Sequence, residues 1–489
     1  MLEHYLTLGG TEIANSARLA AYLESVGSPL DSVGACACET FTADLVGDAP
    51  YTSPEGDGAP WYDPNVPESA EFAGLLVLTV DGLDEHPMQR TVTRSATGSA
   101  AFGAARVLPR TITVTALVLG VTCCGANYGF RWLAQALDGG PSTRSGSGTG
   151  CTGGACGGDE LVLYNCCPAE AEDPAQFAAR HRRTLRRVAL VEGPRVVARN
   201  GNGCSGRGGC SSGADILTVE FVLSAGTPWL WTDPVPVLDV SVPTDDGTEC
   251  ITWCVHRSAD EPVNPVCLEL GDTCPPGAVS VELTDAACGD VVWPDRETLN
   301  LPCGEPCRLA ACPDLGALCS DPTCRTPAPS VAPPPETCFC NAIAVNSEVY
   351  ELDLSTSPVW FGAAPIITVN AGSGDLRRFT VSFFERRPEH DGLTCEEVVA
   401  MERCNPHSVF NVAYVPVGGT MVLDGQVGRD TVECAGSCEP SPDAYGRDGG
   451  PLDFPLLKGT RFCVEVTADA IFMPADDATV TVALSGREF

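Results

Sequence analysis

The sequence predicts a mainly β protein of two or three domains, on three observations. At 489 residues the chain is too long for a single hydrophobic core, so each domain must bury its own apolar surface. Gly 51 and Pro 40 are high, and short runs of Val, Thr, Leu and Phe end repeatedly at Gly, Pro, Asn or Asp, a strand-and-turn pattern rather than a helical one. Residues 111–119 alternate Thr with Ile, Val and Ala and then turn wholly apolar, as a strand does on passing from a half-exposed to a buried position. That strand is expected to be central in its sheet.

Taken in order, the chain opens with a short strand, a Gly9-Gly10 turn and a second strand or bend, with a helical turn over residues 19–23. Cys36 and Cys38 follow, and the Pro, Gly and Asp segment 48–67 reads as a surface loop. Residues 71–80 form a strand and 83–92 a connection, while Arg90, Arg94, Arg106 and Arg110 give the approach to the central strand a basic cast. After a turn at Cys123-Cys124-Gly125-Ala126, Asn127 can cap a helix whose Phe130, Trp132, Leu133, Ala136 and Leu137 crowd one side, and Gly139-Gly140-Pro141 stops it. Residues 139–158 have the glycine content of a phosphate loop but lack its lysine, the single lysine being Lys458. They read as a flexible Gly and Ser loop tethered by Cys151 and Cys156. With Cys123, Cys124, Cys166 and Cys167 on its flanks, the six thiols can form one local cluster of bridges.

Residues 159–164 are a strand, and Asp173-Pro174 supplies an N-cap and an N1 proline for a helix running to residue 179. Residues 180–199 then hold seven arginines against the single Glu192, a net of +6. Arg180, Arg182, Arg183, Arg186 and Arg187 are candidates for a subunit interface meeting acidic neighbours. A face turned toward nucleic acid, or a solvated strand edge that uses charge against unwanted pairing, are the competing readings. A strand over 216–223 closes a first domain placed at 1–238.

Residues 239–337 differ in character, with ten cysteines between Cys250 and Cys324 and only short apolar runs. A small core of this kind needs staples, and Cys303, Cys307 and Cys312 join the disulfide candidates. Residues 321–335 read as a stiff polyproline linker. From 338 to 489 a series of strands, with a hairpin turn at Asp424-Gly425 and clean alternation over 479–482, predicts a β-sandwich.

A net charge of −35 repels nucleic acid and anionic membrane surfaces, so neither is an expected partner. No stretch approaches eighteen consecutive apolar residues, and MLEHYLTLGG has neither the basic nor the apolar region of an export signal. The 27 cysteines conflict with residence in a reducing cytosol. No two are spaced C-x-x-C and the six histidines lack an H-x3-H partner, so disulfides are favoured over zinc. A protein assembled in the cytosol that works outside after lysis would resolve the conflict, and the odd count leaves at least one thiol free.

No catalytic motif emerges. H-E-x-x-H and D-x-D-x-D-G are both lacking. Gly209-Cys210-Ser211-Ser212-Gly213 has the letters of a nucleophile elbow, but a Gly-rich loop precedes it and a strand follows, where the elbow needs a strand and then a helix. Asp476-Asp477, Glu396-Glu397 and Asp245-Asp246 read as solvated charge, with calcium as the minor alternative. Nothing selects a general acid and base, and no cofactor or metal is implied.

The order of signals resembles a known family. The opening Leu6-Thr-Leu-Gly-Gly-Thr-Glu-Ile-Ala-Asn15-Ser-Ala-Arg18, the Arg110-Thr-Ile-Thr-Val strand leading to Trp132-Leu133, Arg183-Thr-Leu followed by Gly193-Pro194, and the close Gly226-Thr-Pro228-Trp229 resemble the N-terminal domain of siphophage distal tail proteins. Asp321-Pro-Thr-Cys324 with Pro333-Pro-Pro335, then Ile366-Ile-Thr-Val-Asn370, Tyr414-Val-Pro-Val-Gly-Gly-Thr420 and Phe454-Pro-Leu-Leu-Lys-Gly459, are similar to minor tail proteins of phages that infect Actinobacteria. The resemblance implies an N-terminal β-barrel-like domain related to tail-tube proteins, a Cys/Pro-rich insert whose role is open, and a C-terminal sandwich of galactose-binding or galectin-like type. It further implies a structural virion protein of the tail tip, without catalytic activity. Six copies would form a ring between the tail tube protein and hub or tape-measure-associated proteins. A second expectation is a minor tail protein that binds host-surface carbohydrate, with Trp360 and Phe361 on an exposed sandwich face, although core packing is the commoner use of both. A tail-associated cell-wall hydrolase is the third.

Overall fold

The computed structural model describes residues 2–28, 38, 40–47, 50–94, 98–138, 159–169, 172–201, 215–244, 250–257, 266–268, 337–355, 362–403, 405–434, 437–469 and 473–488. In chain order the first part holds β1 (Leu2–Leu8), β2 (Thr11–Asn15), α1 (Ser16–Ser25) and β3 (Phe72–Asp81). Four short strands follow, β4 (Met88–Gln89), β5 (Val92–Arg94), β6 (Ala100–Phe102) and β7 (Arg106–Val107). Then come β8 (Arg110–Gly120), α2 (Cys123–Leu137), β9 (Asp159–Tyr164), α3 (Pro174–His181), β10 (Arg182–Gly201), β11 (Asp215–Ala225) and β12 (Leu230–Trp231).

Antiparallel pairing sets the order β2-β1-β9-β10-β11-β8-β3. Strand β8 is flanked on both sides, and Ile112, Val114, Ala116 and Val118 on its inner face are fully buried. The sheet curls until β2 and β3 pack against each other, yet among the described residues no ladder joins them, and the expected barrel is not closed. Helix α1 occupies that side, its Leu19 and Leu23 packing on Ala73, Leu76 and Leu119. A register shift between Phe72 and Gly74 bends β3 at the same place.

Local chemistry starts the helices. The Asn15 side chain accepts from the backbone N–H groups of Ala17 and Arg18, and Asp173 does the same for α3 from Ala175 and Gln176. Helix α2 begins four residues before the expected Asn127 cap, because the Thr122 hydroxyl accepts from Gly125 N–H. Gly129 then lets α2 lie on the Phe72 ring, where a Cβ would stand 2.4 Å from the ring carbons.

The second part holds β13 (Val235–Ser241), β14 (Cys250–Arg257), β15 (Val266–Leu268), β16 (Thr337–Asp353), β17 (Ala363–Asn370), β18 (Leu376–Glu385) and α4 (Cys395–Glu402). It continues with β19 (Ser408–Val415), β20 (Thr420–Asp424), β21 (Arg429–Cys434), β22 (Ser437–Pro440), β23 (Ala444–Tyr445), β24 (Arg461–Asp469) and β25 (Thr479–Glu488). One sheet runs β13-β25-β17-β20-β21-β22 and the other β15-β14-β16-β24-β18-β19-β23. Ile367, Val369, Val480 and Val482 of the first meet Phe379, Val381, Phe410 and Val464 of the second in one core, the construction of a β-sandwich. The expected boundary at residue 238 falls inside β13, which pairs with β25. Of the Cys-rich stretch, β14 and β15 extend the second sheet along β16; Cys303, Cys307, Cys312 and the linker 321–335 lie outside the described residues.

Candidate assembly surface

Between β3 and β8 the chain runs out as a two-stranded ribbon, the arm, in which Met88 pairs with Val107 and Val92 with Phe102. Every described residue from 88 to 108 is exposed. Among them are Met88, Val92, Val107, Leu108 and Phe102, the last 69 % accessible. The same residues include Arg90, Arg94 and Arg106 and no acidic side chain, within a chain of net charge −35.

The arm is fixed at its base. Arg110, the first residue of β8, is only 1 % exposed. Its guanidinium donates to Pro228 O at 2.8 Å, to Gly82 O at 2.9 Å and to Leu83 O. Three carbonyls from two distant segments are thereby held by one cation, whose pKa burial pushes below the usual arginine value against the raising influence of Glu85 and Asp84. Gly82 is required here, since its φ is +95° and a Cβ would stand 2.0 Å from Thr111 O.

The arginines expected to form an outward interface mostly turn inward. Arg183 is 5 % exposed; it donates to both Glu488 carboxylate oxygens at 2.7 Å and to the carbonyls of Arg180 and Arg182 at 2.8 Å. Arg186 pairs with Glu160 at 2.6 Å and Asp424 at 2.9 Å and donates to Gln426 Oε1. Arg182 lies 3.4 Å from Asp233. Arg187 has a φ of +58° at a register shift between Leu185 and Val188, and its carbonyl accepts from Gly226 N–H. Arg180 alone of the five is exposed, with Glu172 at 3.8 Å. The cause is topological: the first half of β10 lies between β9 and β12, and β12 in turn pairs with β25. Arg183 and Arg186 therefore meet acids of the sandwich, Glu488 and Asp424, in the same chain. Burial raises the Glu160 and Asp233 carboxyls above their ordinary range, with Arg186 and Arg182 pulling the other way.

Beyond Val188 the β9-facing edge of β10 is unpaired among the described residues. Val191, Val196 and Val197 are exposed there.

The six-thiol cluster does not form as expected. Cys167 bridges to Cys38, 129 residues away, and Cys166 is a free thiol. The reason is spatial: residues 40–46, which follow α1 in the chain, pack Phe41 and Leu45 onto Tyr164 and Phe177, which carries Cys38 to the end of β9. Cys123 and Cys124 are disulfide-bonded; Cys151 and Cys156 lie outside the described residues. A bridge the sequence did not reveal joins Cys395 of α4 to Cys463 of β24. Trp360 and Phe361 also lie outside the described residues. Among the described residues no three His, Cys, Asp or Glu side chains gather as a metal site, and no helix is long and apolar enough to cross a membrane.

No family model matches the chain, and no curated protein matches it. Among solved structures, the chain is similar to the SPP1 Dit (gp 19.1) protein, described as a paradigm of the hub adsorption apparatus in phages that infect Gram-positive bacteria. The TM-score is 0.31 and the identity 10%, over 85% of this chain and 94% of that one.

The arm went unread in the sequence because its strands are two or three residues long, too short for alternation to register. The legible signal was compositional: residues 88–108 carry no acid in a strongly acidic chain.

Proposed function

We propose that this chain is a structural subunit of a phage tail tip that assembles with copies of itself into a ring between tail tube and central hub, with the sandwich at the periphery. The observation that carries self-assembly is the arm. Five large apolar side chains are exposed on a ribbon with a fixed base, and such patches mark interaction surfaces. A surface of another copy, drawn from a chain of net charge −35, complements the acid-free arm electrostatically. The clamped base means that little ordering remains to be done on docking. An arm and its receiving surface are different patches, which permits a head-to-tail contact, the kind that closes into a ring when the rotation per copy allows. The sequence resemblance to distal tail proteins supplies the tail and the six-fold expectation.

The test is negative-stain electron microscopy with light scattering on the wild type and on a Val92→Asp, Phe102→Asp double variant. Six-fold rings with a central channel are expected for the wild type, alone or with its tail-tube and hub partners, and monomers of unchanged melting temperature for the variant. A variant that assembles as the wild type does would remove the arm from the account.

A further inference from the structure

We propose that Cys166, His181 and the adjoining Cys38–Cys167 bridge form a thiol–disulfide exchange site, at which Cys38 changes partner between Cys167 and Cys166. This rests on no part of the tail-tip reading.

The site is assembled where the end of β9 meets the end of α3, the two being joined by a hydrogen bond from Asn165 N–H to the His181 carbonyl at 2.9 Å. The Cys166 Sγ lies 2.9 Å from His181 Nδ1. Asn165 Oδ1 is 2.9 Å from the same nitrogen, and Glu172 Oε1 is 3.9 Å from Nε2. The Phe177 ring, its centroid 5.3 Å from that of the imidazole, backs the histidine. The electrophile is independent of these contacts. Cys167, the next residue, is exposed and bonded to Cys38, and Thr40 Oγ1 donates to Pro168 O at 2.7 Å, holding the Cys38 segment beside the vicinal pair.

The arrangement supplies each part of an exchange step. His181 Nδ1, unprotonated in the tautomer whose Nε2–H faces Glu172, takes the proton of the Cys166 thiol. The imidazolium so formed donates from Nδ1 to Asn165 Oδ1 and faces the Glu172 carboxylate through Nε2, both of which favour the charged ring, while burial, Arg183 and Arg180 act against it and hold His181 below the ordinary imidazole value. Burial and Glu172 likewise raise the Cys166 thiol, so the exchange is slow and calls for alkaline pH. The Cys166 thiolate attacks the Cys38 sulfur; a Cys166–Cys38 bond forms, the Cys38–Cys167 bond breaks, and the electron pair leaves on Cys167. That thiolate recovers the proton from His181. One disulfide and one thiol are present before and after, so no external oxidant or reductant enters. The product presents its free thiol at the exposed position 167 instead of the half-buried position 166.

The test uses the full-length oxidised chain, prepared without reductant and incubated at about pH 8.5, near the ordinary thiol value. Timed iodoacetamide pulses, acid quenching, digestion without reduction and mass mapping then locate the label. Label is expected first on Cys166 and then on Cys167, accompanied by peptides bridged both Cys38 to Cys167 and Cys38 to Cys166. His181→Gln is expected to slow the appearance of Cys167 label by about 10-fold or more, and Cys166→Ser to abolish it. Label confined to Cys166 with one bridged species would overturn the proposal. So would label on Cys38, Cys167 label that persists in Cys166→Ser, or a rate unchanged in His181→Gln.

Discussion

A single buried cation, Arg110, decides whether the arm has a fixed direction. Its three acceptors are backbone carbonyls, and a buried carbonyl that loses its donor costs on the order of 1–3 kcal/mol. Arg110→Met keeps the apolar stem and removes the donors; it is expected to lower stability by about 3 kcal/mol, read as a shift in the denaturant midpoint at unchanged slope. A loss below about 0.5 kcal/mol would mean the carbonyls find other donors and the clamp is dispensable. Some residues were legible at this scale beforehand. Asp173 before Pro174 announces its helix start because a cap acts within three residues. Arg110 was visible only as one more arginine before a strand, since its partners are 27 and 118 residues away.

The arm itself is the element whose removal separates folding from assembly. Replacing residues 88–107 by a short Gly-Ser turn deletes side chains that are all exposed where described, so the melting temperature of the dilute protein is expected to stay within about 0.5 kcal/mol of the wild type in stability, while oligomers vanish in light scattering. A large drop in stability would show that the arm packs on its own body. The bridge between α4 and β24 acts in the opposite sense. Cys395→Ala with Cys463→Ala opens a loop spanning 68 residues and is expected to cost about 3 kcal/mol, seen as a lower midpoint for the sandwich in urea; an unchanged midpoint would assign that element's stability to its apolar core alone. Strand β8 was readable as an interior strand from its alternation and apolar end. The arm strands were not, because two or three residues give no period.

On the scale of the whole molecule, β25 ties the two parts together. It pairs with β12 through Glu488 and Arg487 and with β13 and β17 over its remaining length, and Arg183 and Arg186 grip Glu488 and Asp424 from β10. This junction carries a pH dependence whose sign follows from burial. Glu160 and Asp233 have carboxyls raised by burial, with Arg182, Arg186 and Asp424 as their charged neighbours. The docked junction therefore holds protons that the separated state releases, and its stability falls as pH rises from the ordinary carboxylate value through the raised one. Glu160→Gln is expected to melt with a shallower fall than the wild type between about pH 4 and 7; an equal slope would place the proton linkage elsewhere. By itself the sequence determined what acts over short range or through composition: a mainly β chain, a central strand at 111–119, a capped helix after Asp173, a C-terminal series of alternating strands, and a strongly acidic molecule. Tertiary structure decided what depends on partners far apart in the chain. It left the barrel unclosed by packing α1 beside β3, drew Cys167 to Cys38, and turned Arg183 and Arg186 of β10 onto carboxylates of the sandwich. Charge and period are properties of neighbours along the chain, whereas an ion pair, a bridge or a closed ladder exists only once folding has brought distant residues within a few ångströms.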